Sequence, residues 1–416
     1  MYDLIVCGGG LAGTAAAISA AQEGLKVLII EKSGFLGGAA GNCYVNPFMP
    51  YTIKKNGEKI LISRGIFAEI ISRLSKMDGI AKEGDMVFND EYLKIILDKM
   101  TSENNVDVLF HTTLISARAE ESHVKEITVV NKSGITKYGA KYFIDATGDG
   151  ELSAMSGAKY HVGRKKDGMC QPMTLCFRVA NVDRRKFDKT NYHQIKDAYN
   201  KAQAEGRISD PREDVLWFNY TTKGIIHFNT TRILNLSPID ALDLSKAEKI
   251  GREQMYEIYQ FLKRDIPGFE NSVLIASAPE IGIRESRLIE GAYVITEEDI
   301  IGCRKFEDSI CVGAYEIDIH SPDGGDSTHI SIPQGEYYTI PYRALTPLGF
   351  DNLLVVGRCI SSTHEAQASY RIMPICCCMG EAAGAAIALI FKESIAVGNV
   401  NIDELHIALD KRGLMY

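Results

Sequence analysis

A strand–helix–strand pattern at the start of the chain constrains its fold more than any other feature. Residues 2–31 read YDLIVCGGGLAGTAAAISAAQEGLKVLIIE, in which two short apolar strands flank an alanine-rich helix that Gly24 closes. Gly8, Gly10 and Gly13 form a G-x-G-x-x-G motif between the first strand and the helix. These glycines permit a tight turn, close approach of the backbone to a pyrophosphate, and close packing of helix against strand. The pattern therefore predicts a dinucleotide site at the helix N-terminus.

An acidic residue ends the second strand and marks the ribose end of this site. Glu31 follows the glycines by about 20 residues, the distance at which an acid binds the ribose hydroxyls of a dinucleotide. A carboxylate at that position would repel a 2′-phosphate. The alternative, a glycine-rich turn without a ligand, is disfavoured because the motif stands in a complete βαβ unit.

The charge and composition of the chain exclude several classes of protein. The 54 acidic and 46 basic residues give a net charge of −8 without a basic stripe, which argues against a nucleic-acid partner. No export signal and no apolar run of about 18–20 residues is present, so we expect a cytoplasmic protein without membrane insertion. The ten cysteines are expected to be reduced thiols. We expect no metal, because Asp318, Asp323 and Asp326 lack the spacing of a calcium loop.

The patterning along the chain predicts two domains of α/β class. Residues 1–156 and 342–416 carry buried α/β segments and are assigned to the nucleotide-binding domain. Residues 157–341 combine alternating strand patterns, such as VLWFNYTT and GIIHFNTT, with a long amphipathic helix over residues 244–265. We interpret this middle segment as an inserted α+β domain that binds the substrate.

The residues beyond Glu31 indicate which dinucleotide is bound. GGGLAG, EKSGFLGG, IDATGDG and LLVVGR together resemble the FAD-binding pattern of glutathione-reductase-type flavoproteins. GIRESRLIEGAYVITEEDI, IPYRALTP, NLLVVGRCISSTHEA and RIMPICCCMGEAAGAA extend the resemblance, over essentially the whole chain, to a family of FAD-dependent oxidoreductases of mostly unassigned substrate. The resemblance implies FAD as the cofactor and a Rossmann-like FAD-binding domain with an inserted α+β substrate domain.

The resemblance also implies roles for single positions. We include Gly380 among the predicted cofactor-binding residues because it shares a helix face of small residues with Ala383 and Gly384. Such a face allows close approach of another backbone or of the cofactor. The predicted cofactor-binding residues are Gly8, Gly10, Ala12, Gly13, Glu31, Lys32, Gly37, Gly38, Ala146, Thr147, Gly148, Gly357, Arg358 and Gly380.

Two related classes of flavoprotein fit the sequence poorly. The middle segment has no second G-x-G-x-x-G motif, so a built-in NAD(P)H domain is not expected. The disulfide reductases resemble G-G-x-C-x4-C, whereas Ala40 and Val45 stand at the two cysteine positions here. Cys43 lies between them and is interpreted as a small buried apolar residue, the alternative being a redox or substrate contact.

Candidate catalytic residues are cationic or titratable, because a flavin carries the redox chemistry itself. His364 lies after Arg358 at about the spacing seen in fumarate-reductase-like flavoproteins, which the chain resembles distantly; there a Glu takes the place of Arg358. We predict His364 as a proton donor or acceptor, or as a hydrogen-bond partner of the substrate. Arg371 is predicted as an anion clamp or stabiliser of the reduced flavin, and Arg284 as a substrate-binding cation. The alternative for each of these three residues is a structural role. We interpret His320 as structural too, because its position at the end of a strand is typical of a turn-capping residue.

The sequence RIMPICCCMGEAAGAA places three consecutive cysteines at the start of a helix. Pro374 suits the first helical turn, and successive residues then point about 100° apart. Cys376, Cys377 and Cys378 therefore cannot share a metal ion and are predicted to fill space. The helix N-terminus is expected to face the flavin.

These patterns predict a cytoplasmic FAD-dependent oxidoreductase acting on a small carboxylate- or carbonyl-bearing substrate by hydride or electron transfer. Its electron partner would be a protein or NAD(P)H. The alternative is an electron-relay subunit of a larger redox complex. A flavoprotein of RNA modification is a third possibility, which the acidic charge balance disfavours.

Overall fold

The computed structural model describes residues 2–80, 85–187, 192–324 and 327–416. The first third of the chain contains β1 (Tyr2–Cys7), α1 (Leu11–Gln22), β2 (Val27–Ile30), α2 (Ala39–Asn42), β3 (Thr52–Lys55), β4 (Glu58–Leu61), α3 (Ile66–Lys76), α4 (Asp90–Glu103), β5 (Asp107–Leu109), β6 (Thr113–Glu120), β7 (His123–Asn131), β8 (Gly134–Tyr138), β9 (Ala140–Asp145) and α5 (Glu151–Met155).

The middle of the chain is richer in short strands. It contains β10 (Tyr160–Val162), β11 (Phe177–Ala180), α6 (Tyr192–Ala204), β12 (Trp217–Asn219), β13 (Ile226–Phe228), α7 (Ala241–Asp265), β14 (Val273–Ser277), β15 (Arg287–Ile289), α8 (Glu297–Ile301), β16 (Ser309–Gly313), β17 (Ile317–Ile319), β18 (Thr328–Ile330) and β19 (Tyr338–Pro341). The chain then returns through β20 (Leu353–Val355), α9 (His364–Tyr370), α10 (Met373–Glu393) and α11 (Ile402–Lys411).

A five-stranded parallel sheet, ordered β20-β9-β1-β2-β5, is the frame of the molecule. All of β2 and the last four residues of β1 are buried, as expected for strands covered on both faces. The carboxyl ends of parallel strands meet at one edge of such a sheet, which is where ligands bind in open α/β folds. The predicted α/β class with a Rossmann-like βαβ start is confirmed.

Helices α1 and α10 pack against each other through small residues. A Cβ atom on Gly380 would lie 2.0 Å from the Ala12 carbonyl oxygen, and one on Gly384 would lie 2.2 Å from that of Ala16. By length and composition alone α10 is apolar enough to cross a membrane, yet 83% of its most apolar 18-residue stretch is buried inside the fold. The alanine- and glycine-rich composition therefore serves close helix packing in the core.

The middle segment divides between two hydrophobic cores. Strands β11–β14 form an antiparallel sheet, ordered β12-β13-β11-β14, which packs with α6 and α7 in a core of its own. Strands β15–β19 instead contribute Ile289, Ile310, Ile317 and Ile340 to the large core that contains α1 and α10. The α+β character predicted for the insert is present in the first part, and its bounds at residues 157 and 341 stay a prediction.

A buried ion pair joins the second core to the nucleotide-binding frame. Arg178 of β11 donates to both carboxylate oxygens of Asp90 at the start of α4, at 2.6 and 3.2 Å. Its guanidinium lies between the rings of Tyr44 and Tyr220, at 4.1 and 4.4 Å from their centres. This contact links β11 to the start of α4.

Candidate active site

The glycine motif divides into packing positions and one open position. Gly8 has a φ of +104°, and a Cβ atom there would lie 2.3 Å from the Ala146 carbonyl oxygen. A Cβ atom on Gly13 would lie 2.0 Å from the Gly8 carbonyl oxygen. Gly10 differs, because a Cβ atom there would meet only the Gly38 Cα atom, at 4.0 Å. The backbone at Gly10 is therefore open toward the neighbouring cavity.

Glu31 is held in place by backbone amides at the end of β2. Its two carboxylate oxygens accept from the Gly9 and Ser33 N–H groups, at 2.6 and 2.7 Å. Lys32 pairs with Glu280 at 3.2 Å on the rim of the same cavity. Both residues follow a buried strand, so the fold places them at the carboxyl edge of the sheet.

Two adjoining cavities follow this edge. The narrower cavity contains Gly8, Glu31 and Lys32 in its wall. The wide cleft lies between the two cores, and Gly10, Ala146, Gly148 and Arg358 line both the cavity and the cleft. The cavity walls contain the predicted residues Gly8, Gly10, Ala12, Glu31, Lys32, Gly37, Gly38, Ala146, Thr147, Gly148, Gly357 and Arg358.

Arg358 is fixed where the two cavities meet. Its Nη2 donates to Asp149 at 2.6 Å, and its Nε is buried without a partner among the described residues. A Cβ atom on Gly148 would lie 2.0 Å from Nη1 of Arg358, so this glycine makes room for the guanidinium. Asp149 was not predicted as a site residue, although its position inside the DATGDG turn is a signal for it. The path from Glu31 past the open backbone at Gly10 into a wide cleft fits an extended dinucleotide such as FAD.

Comparison with known proteins identifies the family. The family described as FAD dependent oxidoreductase matches residues 3–409. The chain belongs to this family. FAD is accordingly the cofactor of this FAD-dependent oxidoreductase, as predicted.

Curated relatives of this FAD-dependent oxidoreductase match over part of their length. It is 31% identical over 153 residues to a dihydrolipoamide dehydrogenase of Chaetomium thermophilum, which is 35% of this chain and 28% of that protein. It is 30% identical over 162 residues to a thiamine thiazole synthase of Aeropyrum pernix, which is 35% of this chain and 54% of that protein. Each match spans less than two thirds of the relative.

A solved structure shares the fold over nearly the whole chain. The p-nitrophenol 4-monooxygenase of Pseudomonas putida superposes with a TM-score of 0.50 at 10% identity, covering 99% of this chain and 83% of that one. At this identity the likeness concerns the fold alone.

The structure does not bring His364 to the wide cleft. His364 begins α9 and is buried, with Nδ1 at 2.8 Å from Oε1 of Glu285. Glu285 is fully buried and also accepts from the Gln171 N–H at 2.9 Å. The imidazole therefore partners a buried carboxylate behind the cleft wall. The role of His364 as a proton donor or acceptor, or as a hydrogen-bond partner of the substrate, stays a prediction.

Gly13 and Gly380 lie behind the cavity walls as well. Both meet neighbouring backbone atoms at distances that only glycine allows, Gly13 against Gly8 and Gly380 against Ala12. For Gly380 the close approach is to another backbone, which was one of the two options, and its assignment as a cofactor contact stays a prediction. Gly13 contacts the Gly8 carbonyl and so helps to determine the shape of the turn between β1 and α1.

Arg284 and Arg371, by contrast, both line the wide cleft. Arg284 donates from Nη1 to the Pro172 carbonyl at 2.6 Å and to Oγ1 of Thr174 at 2.5 Å. Among the described residues no carboxylate pairs with this guanidinium. Burial lowers the pKa of Arg284, and the positive charges of Arg371 and then Arg212 lower it further. The Asp318 carboxylate raises this pKa, so the charge is compensated only in part and without a direct ion pair.

Arg371 is anchored at the junction of α9 and α10. Its Nη2 donates to the Asp318 carbonyl at 3.1 Å and lies 4.0 Å from Oδ2 of the same residue. Burial alone would raise the pKa of Asp318, but contacts with His320 and the Arg371 charge hold it below its usual range. This carboxylate is ionised and faces the cleft.

Sequence reasoning missed several cleft residues. His320 is a buried cleft residue rather than a turn cap: Nδ1 lies 3.0 Å from the Ser327 hydroxyl, and Nε2 lies 3.6 Å from Asp318. Burial, followed by the charge of Arg284, lowers the pKa of His320 to about 3, so the ring is neutral. The alternation IDIH in and after β17 puts Asp318 and His320 on one face, a signal that was available. Arg212, in an irregular segment, carried no such signal.

The three cysteines point in three directions, as predicted. Cys376 lines the cleft, Cys377 is fully buried, and Cys378 directs its thiol to the Arg64 carbonyl at 3.8 Å. Burial raises the pKa of Cys376 and of Cys43, which also lines the cleft, to about 12. Both thiols are therefore protonated and suited to packing.

Of the other aspartates considered for a calcium loop, Asp323 pairs with Arg164, and Asp326 lies outside the described residues.

Proposed function

We propose that this FAD-dependent oxidoreductase acts on a small substrate that bears a carboxylate, by hydride or electron transfer at FAD in the wide cleft. FAD supplies the redox chemistry when it is bound. The chain would hold it along the path from Glu31, past Gly10 and Gly37, to Gly357 and Arg358. The side chains of the inserted segment would bind and orient the substrate.

The unpaired guanidinium of Arg284 carries this proposal. A charge that is removed from water without a partner is costly, and an arriving anion recovers part of that cost. The protein acceptors of Arg284 are neutral oxygens, so its charge remains available to a ligand. A planar carboxylate matches the fork of donors on a guanidinium.

The surrounding charges direct an anion to Arg284 and not to its neighbours. Arg212 already donates from Nε to Asp214 at 3.1 Å, and Arg371 lies against Asp318. Arg358 is held by Asp149. The carboxylate partners of these three arginines offset their charges, whereas the guanidinium of Arg284 donates only to neutral protein oxygens.

A pair of isosteric probes tests the proposal. FAD-loaded protein is titrated with hydrocinnamate and with its neutral amide, hydrocinnamamide, by calorimetry. The acid should bind about tenfold or more tightly than the amide, the ratio that hydrogen bonds to a charged group supply. Arg284→Gln should abolish this preference without loss of FAD.

Arg252 of α7 provides the control. It is exposed and pairs with Glu248 within the same helix, so Arg252→Gln should keep the full preference for the acid. Equal affinity for acid and amide in the unmodified protein would contradict the proposal, as would an unchanged preference in Arg284→Gln. A relay subunit, which exchanges electrons with a protein partner, requires no such selectivity.

A further inference from the structure

One oxygen of a second charged group in the wall of the wide cleft lacks a hydrogen-bond donor. Asp318 lines the cleft, and its Oδ1 is buried without a hydrogen-bond donor among the described residues. The neighbouring polar groups lie close to the other oxygen, Oδ2. The Tyr315 hydroxyl lies 3.0 Å from Oδ2, and Nε2 of His320 lies 3.6 Å from it. A buried carboxylate oxygen without a donor is costly, so a ligand that supplies one would be favoured.

The neighbouring histidines do not supply this donor. Nδ1 of His329 lies 3.7 Å from Oδ1 of Asp318, but it is hydrogen-bonded to Glu316 at 3.0 Å. His320 is neutral, because burial and then the charge of Arg284 lower its pKa to about 3. Arg371 approaches Oδ2 and not Oδ1. The free oxygen is therefore matched to a donor that arrives with the ligand.

Arg284 and Asp318 thus present opposite, incompletely paired charges to one cleft, and the carboxylate of Asp318 raises the pKa of Arg284. A ligand that satisfies both must carry a carboxylate together with a charged N–H donor. We propose that the substrate is an amino acid whose carboxylate binds Arg284 and whose protonated amine binds the carboxylate of Asp318. This assignment rests on the proposed function and specifies its substrate class.

The remaining wall of the cleft favours an apolar side chain. Val45 and Met49 line it from the nucleotide-binding frame, and Leu216 and Phe218 line it from the inserted sheet. All four are partly exposed, so they are available for contact. Burial of an apolar side chain against them would add affinity without further polar partners. L-Phenylalanine is therefore a suitable probe.

The test compares three molecules of one shape. FAD-loaded protein at neutral pH is titrated by calorimetry with L-phenylalanine, with hydrocinnamate, which lacks the amine, and with phenethylamine, which lacks the carboxylate. L-Phenylalanine should bind about tenfold or more tightly than either, as expected when a second charge-assisted contact is added. Equal affinities for L-phenylalanine and hydrocinnamate would overturn the assignment, and this comparison requires no variant.

Two variants test whether Asp318 is the residue that binds the amine of L-phenylalanine. Asp318→Asn should remove the preference for L-phenylalanine over hydrocinnamate without loss of FAD, and hydrocinnamate should bind at least as tightly as before, because a negative charge leaves the cleft. Asp323→Asn, an exposed aspartate paired with Arg164, should keep the preference. A preference that survives in Asp318→Asn would overturn the assignment.

The same titrations separate this inference from the proposed function. Binding of hydrocinnamate that depends on Arg284, without a gain from the amine, would refute the amino acid and leave the carboxylate site standing. Hydrocinnamate that binds no more tightly than its amide would refute the carboxylate site itself.

Discussion

At the scale of single residues, Gly10 and Gly13 belong to one motif but meet opposite surroundings. A Cβ atom has open space at Gly10, whereas at Gly13 it would overlap the Gly8 carbonyl. Gly10 precedes α1 with a φ of −64°, which alanine adopts without strain. The space beside Gly10 is where the backbone would meet the cofactor pyrophosphate.

Replacing each glycine by alanine should therefore have different effects. We expect Gly10→Ala to weaken FAD binding by about tenfold or more while the unfolding free energy of the FAD-free protein changes by less than about 0.5 kcal/mol. Gly13→Ala should instead lower the stability of the FAD-free protein by about 1–3 kcal/mol, because the turn is overpacked. Urea unfolding and FAD titration measure the two quantities. Unaltered FAD affinity in Gly10→Ala would show that the cofactor does not approach this backbone.

The positions that line the proposed cofactor path were predictable from sequence because short motifs determine them locally. The glycines, Glu31 and the turn after β9 follow buried strands, so strand order alone brings them to one edge. His364 was not predictable in the same way. Its partner Glu285 is 79 residues away in sequence, and no local pattern reveals that this acid is buried.

The hydrogen bond between His364 and Glu285 can be tested by a matched pair of variants. His364→Asn keeps an N–H donor near the position of Nδ1, whereas His364→Leu leaves the carboxylate unpaired. We expect His364→Leu to lose about 1–3 kcal/mol more unfolding free energy than His364→Asn. Both should keep their FAD absorbance. Equal stability of the two variants would argue against a structural role for this histidine.

At the scale of elements, the contact between α1 and α10 depends on residues without side-chain bulk. Gly380→Ala places a Cβ atom 2.0 Å from the Ala12 carbonyl oxygen, so the two helices must separate. We expect a loss of about 1–3 kcal/mol in the unfolding free energy. Gly398→Ala is the control, since a Cβ atom there meets nothing within 4 Å. Equal stability of Gly380→Ala and Gly398→Ala in chemical denaturation would contradict this packing.

The same helix carries a buried acid that makes stability depend on pH. Glu381 is 2% exposed and accepts from the Ile66 N–H at the start of α3, at 2.7 Å. Burial raises the pKa of Glu381 from 4.5 to about 7. The folded protein therefore binds more protons than the unfolded chain between these values, and its stability falls as pH rises through this range.

Glu381→Gln should remove that part of the pH dependence. A pKa difference of this size corresponds to about 3 kcal/mol, present in full below pH 4.5 and lost above pH 7. Relative to Glu381→Gln, the unmodified protein should become progressively less stable between these pH values in urea unfolding. Parallel stability profiles for the two proteins would be the contrary result.

At the scale of the whole molecule, local periodicity identified strands but not the core to which each belongs. Strands on either side of residue 285 have similar alternating patterns, yet β11–β14 form their own core and β15–β19 join the large one. Which face of a short strand is covered depends on contacts distant in sequence. The sequence therefore predicted an α+β insert without showing where its packing divides.

The ion pair between Arg178 and Asp90 joins the two cores and can be tested by a double-variant cycle. The Asp90 side chain is fully buried, so Arg178→Met should leave an unpaired charge and cost about 3–5 kcal/mol of unfolding free energy. Adding Asp90→Asn should recover most of this loss, because it removes the stranded charge. Additive losses in denaturant unfolding would show that the pair is not coupled.

The most direct measurement is a crystal structure of the FAD-loaded protein soaked with a bromine-labelled hydrocinnamate. The anomalous signal of bromine would locate the ligand, and the electron density would place its carboxylate. We predict FAD along the path from Glu31 past Gly10, with the ligand in the wide cleft and its carboxylate within hydrogen-bond distance of Arg284. A ligand outside the cleft, or an Arg284 guanidinium paired with FAD or with a protein carboxylate, would contradict the proposed anion site.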